Sequence, residues 1–183
     1  MARSIGTGIS AAVQSRPDAD VFRRVMGRFP TGVAVVTQGC GALTRAVTVN
    51  SITSVSLDPL LLSVCLGQDS SILGSVLRER HFTVNLLRAE QREHSVRFAD
   101  RSRPTGAPAQ ACLGGRPGGN GSLVIKDTLA ALECRVDGTV HAGDHVIVLG
   151  RVEALHQGPH DAEPLVFHGG GYRRLAAPQA GTR

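Results

Sequence analysis

The stretch TVNSITSVSLDPLLLSVCL, Thr48 to Leu66, decides how this chain is read. Up to Ser56 it carries Thr48, Asn50, Ser51, Thr53, Ser54 and Ser56, and no charge appears before Asp58. Side chains alternate faces along a strand. Val47, Val49, Val55 and Leu57 share one face; Ala46, Thr48, Asn50, Ile52, Ser54 and Ser56 share the other. The first face turns polar at Ser51 and Thr53, which places a bulge or bend there. Asp58-Pro59 reads as a turn, and LLLSVCL as a strand too apolar for a wet face. On parity alone, two readings stand: a solvated edge strand, or one wall of a site for a planar ligand rich in acceptors.

The flanks supply the rest of the architecture. RPDADVFRRVMGRFP predicts a helix capped at Asp18 or Asp20 and ended by Pro30. Thr31–Thr37 is a β-branched strand, and TRAVTVN a second strand that forms a hairpin with it. DSSILGSVLRER predicts a helix capped at Asp69 or Ser70, with Ile72, Leu73, Val76 and Leu77 inward. HFTVNLL is a strand, and RAEQREHSVRFAD a weakly amphipathic helix. Residues 101–122 hold the densest Gly and Pro, read as a mobile loop or an edge of the site. LAALECRVD alternates cleanly, GDHVIVLGRVEAL follows a tight turn, and PLVFHGGGYRRL closes the fold. Strands joined by short turns, with no regular strand–helix alternation, predict a mainly β fold: an antiparallel barrel with flanking helices. The absence of GxGxxG after a strand leaves a Rossmann unit unsupported.

A chain of 183 residues holds one sizeable core. With aromatics at 3% and no Trp, aliphatic side chains must fill it. A net charge of +5 raises the question of nucleic acid. The arginines are scattered, Lys126 is the single lysine, and no basic run is interleaved with aromatics, so nucleic acid is not expected. Cys40, Cys65, Cys112 and Cys134 form no CxxC pair and read as reduced thiols of a cytoplasmic protein. No apolar run reaches membrane-span length, so no membrane partner is expected. Residues 1–17 are expected to be a disordered leader, 18–176 the domain and 177–183 a tail.

Hydrolytic chemistry finds little support: there is no GxSxG elbow, and the seven His are scattered. GPHDAEPLVFH, with His160, Asp161, Glu163 and His168, reads as a loop rather than a metal site. The neutral, hydroxyl-rich face beside apolar strands fits a flavin. Its ring edge takes backbone N–H, Thr and Asn contacts, and its phosphates take Ser, Thr and Arg.

FRRVMGRFPTGVAVVT, TVNSITSVSLDPLLLSVCL, HFTVNLLRAEQ, RFA, LECRV, GDHVIVLGRV and PLVFHGGGY follow one another in the order of the flavin reductase-like family. The chain resembles that family over roughly Asp20 to Leu175. The resemblance implies an antiparallel split β-barrel, the FMN-binding split barrel, usually a homodimer with flavin near the subunit interface. It implies an NAD(P)H:flavin oxidoreductase that moves hydride to FAD or FMN and supplies reduced flavin to a separate flavin-dependent monooxygenase. FAD is slightly preferred over FMN, and NADH over NADPH.

Carried over by position, Thr48, Val49, Asn50 and Ser51 resemble flavin-ring and ribityl contacts. Ser54, Cys65, Leu66 and Gly67 resemble further flavin contacts. Ser70 and Ser71 resemble a phosphate site at a helix start, where free N–H groups favour anions. Arg97 resembles a phosphate or adenylate contact, His145 the residue lining the nicotinamide side, and Tyr172 a residue near the pyridine nucleotide. The chain departs from the family pattern at Ala46-Val47, where relatives carry Gly-Met, and at Leu60, where a second Pro is usual. It also lacks the aromatic motif commonly found after RFA. Rival readings are a flavin-binding split-barrel module without NADH turnover, a relative that uses tightly held flavin on its own substrate, and an unrelated nucleic-acid-binding barrel.

Overall fold

The computed structural model describes residues 18–175, so the expected leader (1–17) and the expected tail (177–183) both lie outside them. In chain order the strands are β1 (Thr31–Gly32), β2 (Ala34–Gln38), β3 (Arg45–Val49), β4 (Ile52–Leu57), β5 (Leu60–Gly67), β6 (His81–Leu86), β7 (Arg116–Pro117), β8 (Leu123–Val124), β9 (Ala130–Ala142), β10 (His145–Gln157), β11 (Val166–His168) and β12 (Gly171–Arg173). The helices are α1 (Ala19–Met26), α2 (Ser71–Glu79), α3 (Arg92–Ala99) and α4 (Gly106–Leu113).

The main sheet has seven strands in the order β3-β2-β6-β9-β10-β5-β4, each neighbouring pair antiparallel. Its two edges, β3 and β4, are consecutive in the chain and separated only by Asn50 and Ser51. Three peptide steps from Val49 to Ile52 span at most about 11 Å. The edges therefore stand side by side, and the sheet is curled into a barrel. Ser51 marks the crossing. Its Oγ accepts from Cys65 N at 3.2 Å and donates to Cys65 O at 3.3 Å, replacing strand pairing where pairing stops. The bend expected at Ser51 and Thr53 is this crossing, with a register shift between Ser54 and Ser56.

Burial follows parity. On β2, Ala34 and Val36 point into the barrel with Val64, Leu66, Phe82, Val84 and Val148. Val33 and Val35 point outward into a second core with Phe98 of α3, Ala109 and Leu113 of α4, and Leu123 and Ile125. β2 is thus buried on both faces, and α2 closes the barrel core with Ile72, Leu73 and Val76. Leu77, expected inward, is 36% exposed because it falls off that face. Gly150 lets β10 meet the Phe82 ring: a Cβ there would lie 2.6 Å from Phe82 Cζ. Burial pushes the Cys134 thiol up to about 12, so it packs as a hydrophobe.

Residues 101–122 differ from a simple loop. GAPAQACL forms α4, which tolerates Pro108 because a first-turn N–H needs no intrahelical acceptor. The segment after it is fastened to the outer sheet face by polar side chains. Asn85 Oδ1 accepts from Ile125 N at 2.9 Å, Thr37 Oγ1 donates to Leu123 O at 2.6 Å, and Glu133 Oε2 accepts from Asn120 N at 2.7 Å.

Candidate active site

The cleft opens where the barrel's edges meet. Thr48 and Val49 form one wall, Cys65–Gly67 at the end of β5 the floor, and Ser70 and Ser71 at the start of α2 one end. Asp144 and His145, from the β9–β10 turn, also line it, and its volume is about 620 Å³. The sequence folds this way because His145 is held opposite Gly67 in the β10–β5 ladder. A Cβ on Gly67 would stand 4.0 Å from His145 Nε2, so the ring lies over this bare floor.

The end at α2 is cationic. Ser70 is the helix N-cap, but its side chain bonds no helix N–H. Its Oγ instead accepts from Arg103 Nη2 at 3.1 Å; the Leu73 N–H turns back to Ser70 O at 3.0 Å, which leaves the N–H groups of Ser71 and Ile72 available to an anion. Arg103 is brought there by a tight turn in which Asp100 Oδ1 accepts from both N and Oγ of Ser102, each at 2.6 Å. The Ser102 hydroxyl, then its N–H, hold the Asp100 carboxyl below its usual value. Arg101, Arg103 and Thr105 all line the cleft.

Of the residues carried over from the resemblance, Thr48, Val49, Cys65, Leu66, Gly67, Ser70, Ser71 and His145 come together here. Val49 and Leu66 are buried, so what they present is backbone. Thr48 Oγ1 donates to Ser95 O at 2.7 Å, which ties this wall to α3. Asn50 is exposed at the crossing between the edges, and Ser51 Oγ is occupied by the Cys65 backbone. Ser54 is exposed on the edge strand β4 and does not line the cleft; neither does Arg97, exposed in the last turn of α3.

Tyr172 lines a different cavity, with Arg92, Arg173 and Arg174. Its ring lies 5.3 Å from the Arg92 guanidinium and meets Phe167 edge-on at 5.4 Å. Its hydroxyl pairs with Ser95 Oγ at 2.8 Å. Ser95 thus touches Tyr172 through its side chain and Thr48 through its carbonyl, placing Tyr172 behind the cleft wall. Sequence reasoning missed Arg101, Arg103, Thr105 and Asp144 as site residues. A signal was present for the arginines: Asp100 followed two residues on by Ser102 marks a turn that projects both neighbours.

A cleft with a cationic helix start at one end, bare backbone and hydroxyls along it and an imidazole at the other fits a flavin nucleotide. The flavin reductase-like domain family matches residues 26–176. The chain belongs to this family. Among curated relatives, the NADH-dependent FMN reductase AsuE2 of Streptomyces nodosus subsp. asukaensis is 44% identical, over 90% of this chain and 89% of that one. The NADH-dependent FAD reductase of Streptomyces globisporus is 40% identical, over 85% of each. The solved structure of the NADH:FAD oxidoreductase SgcE6 of Streptomyces globisporus C-1027, in complex with NAD and FAD fragments, superposes with a TM-score of 0.83. It is 37% identical and covers 93% of this chain and 100% of that one. BorF, the flavin reductase component of a bacterial two-component tryptophan halogenase, superposes with a TM-score of 0.81 at 35% identity, over 88% of this chain and 100% of that one. As a flavin reductase-like protein the chain has the split barrel its sequence led one to expect, mainly β with flanking helices.

Proposed function

We propose that the protein is an NADH-dependent flavin reductase that takes FMN or FAD in the Thr48–His145 cleft and hands reduced flavin to a separate monooxygenase. The observation that carries this reading is the convergence of Ser70, Ser71 and Arg103 with Thr48, Gly67 and His145 in one cleft. Flavin, when bound, supplies the hydride-accepting chemistry. The chain's own residues bind and orient. Arg103 and the α2 N-terminus face the phosphate end, the Val49–Ser51 backbone faces the ring edge, and His145 over Gly67 faces the nicotinamide. Two relatives named for FMN and FAD support acceptance of both flavins, and their naming as NADH-dependent supports NADH over NADPH. The reductase component of 4-hydroxyphenylacetate 3-monooxygenase from Thermus thermophilus, 34% identical, supports a separate oxygenase as recipient.

We also read the protein as a homodimer. Phe22, Val25 and Phe29 around α1 are 61%, 60% and 67% exposed, and Leu57 on the edge strand β4 is 83% exposed. Apolar surface of this kind, on α1 and on an edge strand, is what a second copy would cover. Among the described residues, no helix is long and apolar enough to cross a membrane. A cytoplasmic placement rests on the four free cysteines. Titration of FMN, FAD and riboflavin by fluorescence quenching tests the site: the two nucleotides should bind more tightly than riboflavin. Absence of binding by all three would sink the reading.

A further inference from the structure

The turn that ends the cleft is built to hold one side-chain pair. Gly143 has φ +63° and Asp144 does not have positive φ, the pattern of a two-residue hairpin turn with glycine first. Gln68 fastens the turn to the exit of β5: its N–H donates to Asp144 O at 3.0 Å and its Nε2 to Gly143 O at 2.8 Å. On this fixed turn Asp144 Oδ1 stands 2.8 Å from His145 Nδ1. The other ring nitrogen, Nε2, faces the floor at Gly67.

An ionised carboxylate only accepts hydrogen bonds, so the hydrogen of this pair belongs to Nδ1. In a neutral ring that leaves Nε2 a lone pair directed into the cleft. Free histidine in water favours the opposite arrangement, with the hydrogen on Nε2. The Asp144 carboxyl is held below its usual value, first by the His145 hydrogen bond and then, when the ring is protonated, by its charge, with the Arg23 guanidinium of α1 adding in the same sense. The acceptor is therefore kept ionised. Metal-ligating histidines are oriented in a similar way by a partner on the remote nitrogen.

We propose that Asp144 is a positioning residue. It holds His145 as the Nδ1–H tautomer, so that Nε2 is presented in the cleft as an acceptor for the carboxamide N–H₂ of the dihydronicotinamide. This rests on the reductase reading for its ligand, though not for the tautomer. It assigns His145 a recognition role through a lone pair, not through a proton it gives away. It also gives Asp144, which is 95% exposed, a reason to be there other than solubility.

Long-range ¹H–¹⁵N correlation spectra of His145 test it in the ligand-free protein at pH 8, alongside steady-state kinetics. The wild type should show hydrogen on Nδ1. Asp144→Ala and Asp144→Asn should shift the ring toward the Nε2–H form. Both variants should raise KM for NADH about tenfold, the loss expected for one hydrogen bond, with kcat and flavin affinity changed less than about twofold. Asp144→Glu, which keeps the acceptor, should recover part of the wild-type spectrum and KM. An unchanged tautomer in Asp144→Ala would overturn the proposal. So would a switched tautomer with an unchanged KM. A wild type that oxidises no NADH with any flavin would remove the reductase reading and the carboxamide contact with it, while the spectra would still decide what Asp144 does to His145.

Discussion

Arg103 Nη2 and Ser70 Oγ lie 3.1 Å apart, joining the segment after α3 to the N-cap of α2 across one end of the cleft. The serine is the helix N-cap yet its side chain does not cap, and its hydroxyl holds the arginine's guanidinium at the helix start. That pairing makes the end of the cleft a phosphate seat. Arg103→Ala should weaken FMN and FAD about tenfold or more, since a hydrogen bond to a charged group contributes about 1.5–3 kcal/mol. Riboflavin, which has no phosphate, should bind as to the wild type. Equal weakening of all three in fluorescence titrations would place Arg103 elsewhere.

Tyr172 stands behind Thr48 rather than in the cleft, linked through Ser95. Tyr172→Phe removes one half-buried hydrogen bond and should lower stability by about 1 kcal/mol. KM for NADH should stay within about twofold of the wild type. A large KM increase without loss of stability would restore a direct role at the pyridine nucleotide.

Glu133 is 3% exposed and holds the segment around Asn120 to β9 while pairing with His156 Nε2 at 2.6 Å. Burial, the largest single influence, pushes its pKa up. The His156 and backbone hydrogen bonds together outweigh it and hold the carboxyl below its ordinary 4.5. The stabilisation is therefore fully present above about pH 4.5 and lost as pH falls through the lowered folded value. In thermal melts from pH 7 to 3, the wild type should lose its margin over Glu133→Gln below pH 4.5. A margin independent of pH would contradict this account of the pair.

The apolar faces of α1 and β4 set the assembly test. If a second copy covers them, Phe22→Asp combined with Leu57→Asp should turn a dimer into a species near the 19.2 kDa of one chain by light scattering. A wild type that already runs at that mass would refute the dimer.

Much of this was legible where neighbours in sequence are neighbours in space. The β4–β5 and β9–β10 hairpins, the α2 start and the His145 turn follow from alternation, Asp58-Pro59 and Gly143. What escaped was long-range. Thr37, Asn85 and Glu133 look like ordinary strand polars, but their partners lie roughly 13 to 86 residues away, and they turn an apparent loop into a fastened layer. α4 escaped because GAPAQACL has no helical stripe; it is held by Ala109 and Leu113 against the second core. Arg103 reached the site through a local turn at Asp100, whereas Arg97, in the last turn of α3, is exposed.

The central claim is flavin-dependent NADH oxidation in the Thr48–His145 cleft. Anaerobic loss of absorbance at 340 nm, with FMN, FAD or no flavin added, measures it most directly. The account expects rapid turnover with either flavin, little without, and a marked loss in His145→Ala that leaves flavin binding intact. Tight flavin binding with no NADH oxidation by the wild type would contradict it and leave a split-barrel flavoprotein of another kind.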